Sequence, residues 1–371
     1  MQNEIIKLLK KVDTPFLYLD LEKVKENYQR LKASLKKSQI FYAVKANSER
    51  RIVRELVKLG SSFDIASKNE LDLVLEEGGT PKKISFGNTI KKEKDIKYAY
   101  EKGVEVFVAD EFAELEKIAK NAPKSKVFIR IAMTNSDSDW PLTKKFGCDI
   151  EKAKQILLYS KKLDLEPFGV SFHVGSQCYD KYAWKNMLLQ VKEIFDFLKN
   201  NGINLKFINT GGGMPIKHMR EIPQMEEICK VINEAIEKNF SEYNDLIIAS
   251  EPGRSMVGDA GIMATTIILK SEKDKKEWLY IDAGVFHGLM ETIEGFKYEI
   301  TSSKKGIKKS FTLSGPTCDS VDTMYDEVRL ENDLEIGDNL FFLNAGAYTI
   351  GYASYFNGIE PPKVYFRGDE E

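Results

Sequence analysis

The stretch IFYAVKANSERRIVRELVKLGSSFDIASKNELDLVLEEGG, residues 40–79, decides the fold of this chain of 371 residues. It contains two short β-like runs, at 40–47 and 62–67, and each is followed by a charged segment with apolar residues at helical spacing. Short runs rich in Val, Ile and Phe are typical of buried parallel strands, and the segments between them are typical of amphipathic helices. The stretch therefore predicts a repeated strand–helix unit.

The same alternation continues along the chain until about residue 257. Six further β-like runs lie at 83–88, 104–110, 126–132, 168–176, 206–213 and 246–253. Eight strands that are each followed by a helix predict a closed, TIM-like (β/α)8 barrel, which we place over residues 21–257. An open, doubly wound parallel sheet is the competing architecture at this stage.

The pattern changes after the barrel, where turn signals rather than long helices separate the β-like runs. These runs are TTIILKSE, EWLYIDAG, KYEITSS, KKSFTLSG, DNLFFLNAG and PKVYF. They predict a mostly antiparallel β domain over 258–371, and the charged end RGDEE is expected to be frayed. Residues 1–20 are expected to pack on this domain, since PFLYLD (15–20) is a further β-like run. The expected fold class is therefore α/β with an added β domain.

Composition restricts the function classes. The chain has 55 basic and 57 acidic residues, a net charge of −2, so the clustered basic excess of a nucleic-acid surface is not expected. No run of about 18 apolar residues predicts a membrane span, and the N-terminus lacks the pattern of a signal peptide. Four scattered cysteines, none in a C-x-x-C pair, argue against a metal site and suit a reducing cytoplasm.

In a (β/α)8 barrel the chemistry lies at the carboxyl ends of the strands. Every β-like run carries a polar or glycine-rich feature near its end: Lys45, Asp64, Asn88, Asp110, Arg130, His173, Gly211–Gly213, and Glu251 with Arg254. Lys45 is notable because it is placed inside an otherwise apolar strand, where an unpaired ammonium group would be costly. Each residue alone has an ordinary structural explanation, but their clustering favours a functional rim.

Two segments of this rim predict a phosphate site. The run Gly211–Gly213 lets backbone N–H groups approach an anion closely, and Arg254, in the segment 251–255, offers a forked cation. A lysine, a phosphate cradle and the carboxylate of Glu251 on one rim suggest pyridoxal phosphate. In such sites the lysine binds the cofactor covalently and a carboxylate keeps the pyridine nitrogen protonated. The chain has no G-x-x-x-x-G-K-[ST] loop and no G-x-G-x-x-G fingerprint.

A set of motifs in a fixed order now carries a family resemblance. The motifs are YAVKAN, FDIASKNEL, RIA with KFG downstream, SFHVGSQC, GGGMP, SEPGRSMV, GPTCDSVD and LNAGAYTIGYASYFNG. Together they resemble the ornithine decarboxylase group over roughly residues 15–366. These are fold-type III pyridoxal-phosphate enzymes, related to diaminopimelate decarboxylase and alanine racemase.

The resemblance implies a role for each motif. Lys45 would bind the cofactor, His173 would stack on its ring and Glu251 would pair with its pyridine nitrogen. The other cofactor-site residues would be Asp64, Glu70 and Arg130 near the lysine, and Ser176, Gly211, Gly212, Gly213, Gly253, Arg254 and Tyr348 near the phosphate. The resemblance also implies a homodimer with shared active sites, in which Cys318 and Asp319 reach the site of the other subunit. Cys318 is the candidate proton donor, since a thiol can act as a general acid.

Under this resemblance, the substrate class is predicted from the carboxylates that would bind the distal end of the substrate. Asp319, next to Cys318, suits a distal ammonium group, whereas diaminopimelate decarboxylases usually carry Glu there. Ornithine decarboxylases of eukaryotic type have a second Asp where this chain reads FHGLMETIEGFKY, so Glu291 and Glu294 are the candidates, and Glu294 is favoured. The ordinary alternative is a pair of solvated helix charges.

We therefore expect decarboxylation of ornithine to putrescine, of lysine to cadaverine, or of both, in polyamine biosynthesis. The two substrates differ by one methylene, which is worth only about 1–3 kcal/mol in discrimination. Arginine and diaminopimelate stay open as alternatives, and a non-catalytic regulatory homologue is a distant one. For an alanine racemase the GPTCD motif would have no purpose. The polar segment 134–147 is expected to form a mobile loop near the active site.

Overall fold

The computed structural model describes residues 2–133, 137–140 and 145–369. The segment 134–147, for which a mobile loop was predicted, includes residues 134–136 and 141–144, which lie outside the described residues. The end of the tail RGDEE, residues 370 and 371, also lies outside them.

The chain divides into two compact units. The barrel unit comprises Lys25–Pro215 and Ile222–Ser255, and the β unit comprises Met1–Val24, Ile216–Glu221 and Met256–Glu371. These limits are close to, but not the same as, the predicted domains 21–257 and 258–371 with residues 1–20, which stay a prediction.

Short strands and helices alternate along the first two thirds of the chain, and strands predominate afterwards. The strands are β1 Phe16–Leu19, β2 Ser38–Ala43, β3 Ser62–Ile65, β4 Ile84–Phe86, β5 Val106–Ala109, β6 Lys126–Ile131, β7 Ser138–Trp140, β8 Glu166–Phe172, β9 Ser176–Cys178, β10 Phe207–Asn209, β11 Ile247–Ser250, β12 Gly261–Lys273, β13 Lys276–Ile281, β14 Ile300–Ser302, β15 Lys308–Ser314, β16 Thr323–Glu331, β17 Asn339–Phe342 and β18 Lys363–Phe366. The α-helices are α1 Gln2–Leu8, α2 Leu21–Ser34, α3 Arg50–Lys58, α4 Lys68–Glu76, α5 Glu93–Glu101, α6 Phe112–Asn121, α7 Ile150–Lys162, α8 Ala183–Asn200, α9 Met225–Phe240 and α10 Arg254–Val257. Single 3-10 turns lie at Val44–Ala46, Pro81–Lys83, Gly258–Ala260, Val285–His287, Met290–Glu294, Ile350–Tyr352 and Phe356–Gly358.

Eight parallel strands of the barrel unit close on themselves in the order β10-β11-β2-β3-β4-β5-β6-β8. The prediction of a closed barrel is confirmed, and the open doubly wound sheet is excluded. Some helices begin at a capping side chain: the Ser67 hydroxyl accepts from the Glu70 N–H, 3.3 Å away, at the start of α4. Such caps satisfy N–H groups that the first helical turn leaves without an intrahelical partner.

Aromatic side chains fill the interior of the barrel. Phe41, Phe128, Phe168 and Phe207 pack with Val108 and Ala249 from six different strands. The rings of Phe168 and Phe207 stack with centroids 4.9 Å apart. The polar residues predicted for the rim lie at, or just after, the carboxyl ends of the barrel strands, where this fold places its chemistry.

The strands are shorter than predicted, and this changes the place of Lys45. β2 ends at Ala43, and Lys45 lies in the 3-10 turn Val44–Ala46 with its side chain exposed. The prediction that Lys45 lies inside an apolar strand is wrong. The turn begins directly after β2 and is closed by the Asn47 N–H, which donates to the Val44 carbonyl at 3.1 Å.

The β unit contains an eight-stranded, mostly antiparallel sheet, as predicted. Six strands follow the order β14-β17-β12-β13-β15-β16, and β1 pairs with both β12 and β18. The predicted run PFLYLD thus belongs to this sheet through Phe16–Leu19. The long strand β16, TMYDEVRLE, was not predicted, because its Asp326 and Glu327 interrupt the apolar run that marked the other strands.

Candidate active site

The amine of Lys45 lies on the barrel rim near three carboxyl groups. Lys45 interacts electrostatically with Asp64, Glu70 and Glu251, and its positive charge opposes the rise in the pKa of each of these carboxyls. Their pKa values are nevertheless raised, because burial disfavours the charged form. The lysine amine therefore lies near carboxyl groups whose ionised forms are destabilised by burial.

Asp64 is enclosed by its neighbours. One of its oxygens accepts from the Ser85 hydroxyl at 3.2 Å, and a Cβ built on Gly87 would lie only 1.8 Å from the same oxygen. Gly87 is thus required for the close approach of this carboxylate. Burial raises the pKa of Asp64 well above its ordinary value, and the nearby charge of Glu251 adds to the rise. Glu70 is fixed by the Ala66 N–H, which donates to its side chain at 2.6 Å.

Arg130 and His173 occupy neighbouring strand ends. Burial lowers the pKa of Arg130, opposed by the negative charges of Glu251, Asp110 and Asp64. Burial also lowers the pKa of His173 well below its ordinary value, and the charges of Arg130 and Lys45 lower it further. The Gly175 N–H donates to Nδ1 of His173 at 3.0 Å. The imidazole is therefore neutral, with Nδ1 as an acceptor and its proton on Nε2.

The predicted glycine cradle is closely packed. Gly211 and Gly213 have φ of +64° and +99°, a region that favours glycine. A Cβ on Gly211 would lie 2.2 Å from the Phe172 carbonyl, and one on Gly212 would lie 2.5 Å from the Glu251 carbonyl. The backbone itself thus shapes this part of the rim, and a side chain at any of the three glycines would collide with a neighbouring carbonyl.

Asn209 joins the cradle to Glu251 and was not predicted from the sequence. Its amide donates to Oε1 of Glu251 and accepts from the Gly211 N–H at 2.9 Å. The Glu251 N–H in turn donates to the Gly211 carbonyl at 2.8 Å. Asn209 ends β10 immediately before TGGG, and this position was the available signal. One oxygen of Glu251 is thereby oriented by an amide.

Arg254 and Ser176 lie on elements that border the cradle. Arg254, only 4% exposed, begins α10 directly after Gly253, and its guanidinium carbon lies 5.1 Å from the centre of the Trp140 ring. Trp140 pairs with Ser176 in the two-stranded sheet β7–β9, and the N–H of Cys178 donates to the Gly213 carbonyl at 2.9 Å. A buried arginine, a hydroxyl and glycine backbone therefore belong to one connected region.

These residues fit pyridoxal phosphate by the chemistry of their donors. An amine with nearby carboxylates suits the aldehyde end, a neutral imidazole suits the ring, and a glycine backbone segment with the buried Arg254 suits the phosphate. In the part of the chain that the structure describes, no group of three or more His, Cys, Asp or Glu residues could hold a metal ion. No helix among those residues is long and apolar enough to cross a membrane.

The remaining predicted site residues belong to the β unit. Cys318 is exposed, and its N–H donates to Oδ1 of Asn357 at 2.9 Å. Asp319 accepts from the Val321 N–H at 2.9 Å. The loop that carries both is also exposed, so their side chains face solvent in the single chain.

Glu291, Glu294 and Tyr348 lie in other loops of the β unit. Glu291 is only 7% exposed and accepts from the Tyr298 hydroxyl at 3.3 Å, whereas Glu294, in the same 3-10 turn, is exposed. Tyr348 stacks on Tyr352 with ring centroids 6.5 Å apart. The two carboxylates thus differ in exposure, and the preference for Glu294 over Glu291 as a substrate ligand stays a prediction.

Asp322 holds the Cys318 loop and was not singled out in the sequence. It is 2% exposed and accepts from the Val285 N–H at 2.7 Å, the Thr317 N–H at 3.0 Å and the Thr317 hydroxyl at 2.7 Å. A Cβ on Gly315 would lie 2.4 Å from its carboxylate. The motif GPTCDSVD contains this residue, but only the structure separates its role from that of Asp319.

Comparison with known proteins agrees with this geometry. Residues 21–258 match the family described as pyridoxal-dependent decarboxylase, pyridoxal binding domain. The chain therefore belongs to the pyridoxal-dependent decarboxylases.

Individual relatives cover nearly the whole chain. It is 32% identical to the lysine/ornithine decarboxylase of Selenomonas ruminantium over 100% of this chain and 94% of that protein. It is 33% identical to antizyme inhibitor 2 of Xenopus laevis over 95% of this chain and 80% of that protein. A crystal structure of SrLDC in complex with PLP and cadaverine matches with a TM-score of 0.92 at 31% identity, covering 100% of this chain and 94% of that one.

Proposed function

We propose that this protein decarboxylates ornithine, lysine or both with pyridoxal phosphate, forming putrescine or cadaverine in polyamine biosynthesis. The observation that carries the proposal is the electrostatic group of Lys45, Asp64, Arg130, His173 and Glu251 at the carboxyl ends of the barrel strands. The family to which the chain belongs, and a relative named for both substrates, support it.

Each residue has a defined task in this proposal. Pyridoxal phosphate, when bound, supplies the electron sink that loss of CO2 requires. Lys45 would hold the cofactor and yield its place to the substrate amine, while Glu251, oriented by Asn209, would pair with the pyridine nitrogen. The neutral His173 would lie against the ring, since it carries no charge that repels a protonated ring. Gly211–Gly213, with Ser176, Gly253, Arg254 and Tyr348, would hold the phosphate.

The β unit would supply the proton and the substrate contacts. Cys318 would deliver a proton from Sγ to the substrate α-carbon after CO2 leaves, because an exposed thiol can act as a general acid. Asp319 and Glu294 would bind the distal ammonium group, and Glu291 would be engaged by Tyr298 instead. A distal cation bound by two carboxylates suits a basic amino acid better than one with a second carboxyl group.

We also propose a homodimer in which each β unit completes the site of its partner, located in the cytoplasm. Apolar side chains exposed in the β unit support the dimer: Val321 is 41%, Tyr352 46% and Tyr355 71% exposed, and Val321 lies three residues from Cys318. An interface in the dimer would cover these exposed apolar side chains. The scattered cysteines support the location.

The test is CO2 release with pyridoxal phosphate present, comparing ornithine, lysine, arginine and diaminopimelate at equal concentration. We expect activity on ornithine or lysine that disappears in Lys45→Ala. Activity on diaminopimelate alone would mean that Asp319 was misinterpreted, and activity on arginine alone would assign Glu294 to a guanidinium. No release from any of the four would favour a non-catalytic role, which the similarity to antizyme inhibitor 2 makes worth testing.

A further inference from the structure

Asp110 is a polar residue on the barrel rim that the proposed function leaves without a task. It follows β5 directly, and its charge acts on both Arg130 and Lys91. Its Oδ2 accepts from the backbone N–H of Gly147 at 2.8 Å. This hydrogen bond joins the end of one strand to a segment 37 residues further along the chain.

The segment that donates this bond, Lys145–Cys148, contacts Arg130. The Phe146 ring lies 5.1 Å from the guanidinium carbon of Arg130, a distance suited to a cation–π contact. The Cys148 N–H donates to the Arg130 carbonyl at 3.0 Å, and the Ala132 N–H donates to the Cys148 carbonyl at 2.9 Å. The segment therefore touches both the backbone and the side chain of Arg130.

The strand end that carries Asp110 is itself held firmly. The fully buried Lys91 amine donates to the Val108 carbonyl at 2.7 Å and to the Asn88 carbonyl at 2.8 Å, and it pairs with Glu114 at 3.0 Å. Val108 is two residues before Asp110, so these contacts fix the backbone that carries the Asp110 carboxylate. Rigid support of this kind is what a precise site needs.

Arg130 in turn acts on Glu251. Its positive charge favours the ionised form of that carboxylate, which burial otherwise disfavours. The effect depends on the guanidinium staying near the carboxylate, because the interaction of two charges weakens with their separation.

We propose that Asp110 is a positioning residue, which fixes Gly147 and thereby the segment Lys145–Cys148 that holds Arg130 beside Glu251. The proposal rests on the proposed function, since it gives Arg130 its importance through the pairing of Glu251 with the cofactor. Asp110 need not touch the cofactor or the substrate in this role.

The test compares Asp110→Ala with Asp110→Asn. Alanine removes the acceptor for the Gly147 N–H, whereas the asparagine oxygen keeps it without the charge. We expect Asp110→Ala to lower kcat on the order of 10-fold to 100-fold, with a smaller change in KM, as displaced site residues do. The acid limb of its pH–kcat profile should move to higher pH, because Glu251 loses the support of Arg130. Asp110→Asn should restore most of both.

A second readout uses the chain without cofactor. Hydrogen exchange measured on peptides covering 145–153 should be faster in Asp110→Ala and near the parent rate in Asp110→Asn. Asp149→Ala is the matched control, since the Asp149 side chain accepts from the Lys152 N–H at 2.8 Å at the start of α7. That control should raise exchange in the same peptides but leave kcat and the pH profile unchanged.

Should Asp110→Ala not fold, Phe146→Leu replaces it, because it removes the ring beside Arg130 and leaves the Asp110–Gly147 bond. The same shift of the acid limb is then expected. Parental kcat and pH profile in Asp110→Ala would overturn the proposal, as would equal impairment of the Asn and Ala variants, which would assign the effect to charge. A parent chain that releases no CO2 from any amino acid would instead overturn the proposed function, and this role with it.

Discussion

The barrel rim and the Cys318 loop bring polar residues into place in opposite ways. On the rim, Asp64 and Glu251 are buried carboxyls whose pKa values are raised by loss of solvent. In the β unit, the buried Asp322 collects three hydrogen bonds, while Cys318 and Asp319 are exposed. Burial of the rim carboxyls therefore lowers the free energy of unfolding, whereas the hydrogen bonds to Asp322 raise it.

This difference predicts how variants divide between activity and stability. Buried charges without full compensation reduce the free energy of unfolding, so neutral replacements on the rim should lower activity but not stability. Buried groups with full hydrogen bonding contribute to stability, so replacing Asp322 should lower stability directly. The exposed Cys318 should affect activity alone.

The largest effect is expected for Glu251→Gln. The neutral amide cannot keep a pyridine nitrogen protonated, so kcat should fall at least about 100-fold, as when a site loses a charge that stabilises the transition state. The unfolding midpoint of the cofactor-free chain should not fall, since a buried carboxylate is removed. Steady-state CO2 release and thermal unfolding measure the two. Glu111→Gln is the control, because Glu111 caps α6 on the exposed surface of the same unit.

A Glu251→Gln variant with near-parental kcat would remove the carboxylate from the proposed mechanism. An unfolding midpoint several degrees below that of the parent would contradict the view that burial of the Glu251 carboxylate is destabilising.

The next largest loss of activity is expected at Cys318, and Cys229 provides the contrast. Cys318→Ala should lower kcat about 100-fold, as loss of a general acid does, and leave the unfolding midpoint unchanged. Cys229 is buried in α9, and burial raises the pKa of its thiol to about 12. Cys229→Ser should therefore lower the midpoint and leave kcat per folded protein unchanged. Parental turnover in Cys318→Ala would assign the proton to another donor.

Asp322→Ala tests the loop as a stabilising element. It leaves the buried Val285 N–H without its acceptor, so the free energy of unfolding should fall by about 2–3 kcal/mol. Asp326→Ala, on the exposed part of β16, is the matched control and should change stability by less than about 0.5 kcal/mol. Denaturant titration measures both. Equal effects of the two substitutions would mean that the three hydrogen bonds to Asp322 contribute no net stability.

The barrel was predictable because its signals are local. Each strand is a short apolar run, and the rule that chemistry lies at strand ends then selected Asp64, Arg130, His173 and Glu251 without knowledge of contacts. The β sheet was less regular: the adjacent, exposed Asp326 and Glu327 interrupt the apolar pattern of β16, so this run was not recognised as a strand.

What could not be predicted depends on partners distant in sequence. The Ala43 N–H donates to the carbonyl of Pro252, more than two hundred residues away, just before the turn that carries Lys45. The roles of Asn209 and Asp322 also depend on the fold. Asn209 hydrogen-bonds to Glu251, and Asp322 accepts from the Val285 N–H. No composition or spacing in one sequence encodes such pairings, so these supporting residues emerge only from the structure.

The smallest expected effect concerns the pH dependence of stability at Asp64. Its folded pKa is raised above the unfolded value, so between the two values the folded state holds more protons, and stability falls as pH rises through that window. Asp64→Asn removes this titration and keeps an oxygen that can accept from the Ser85 hydroxyl. The cofactor-free variant should unfold at a higher temperature than the parent near pH 8, and its advantage should shrink as the pH is lowered toward 4. Asp149→Asn, at an exposed helix cap, should show no such convergence. An advantage that stays constant with pH would mean that Asp64 is not ionised at a cost, and that the rim and the loop hold their carboxylates in the same way.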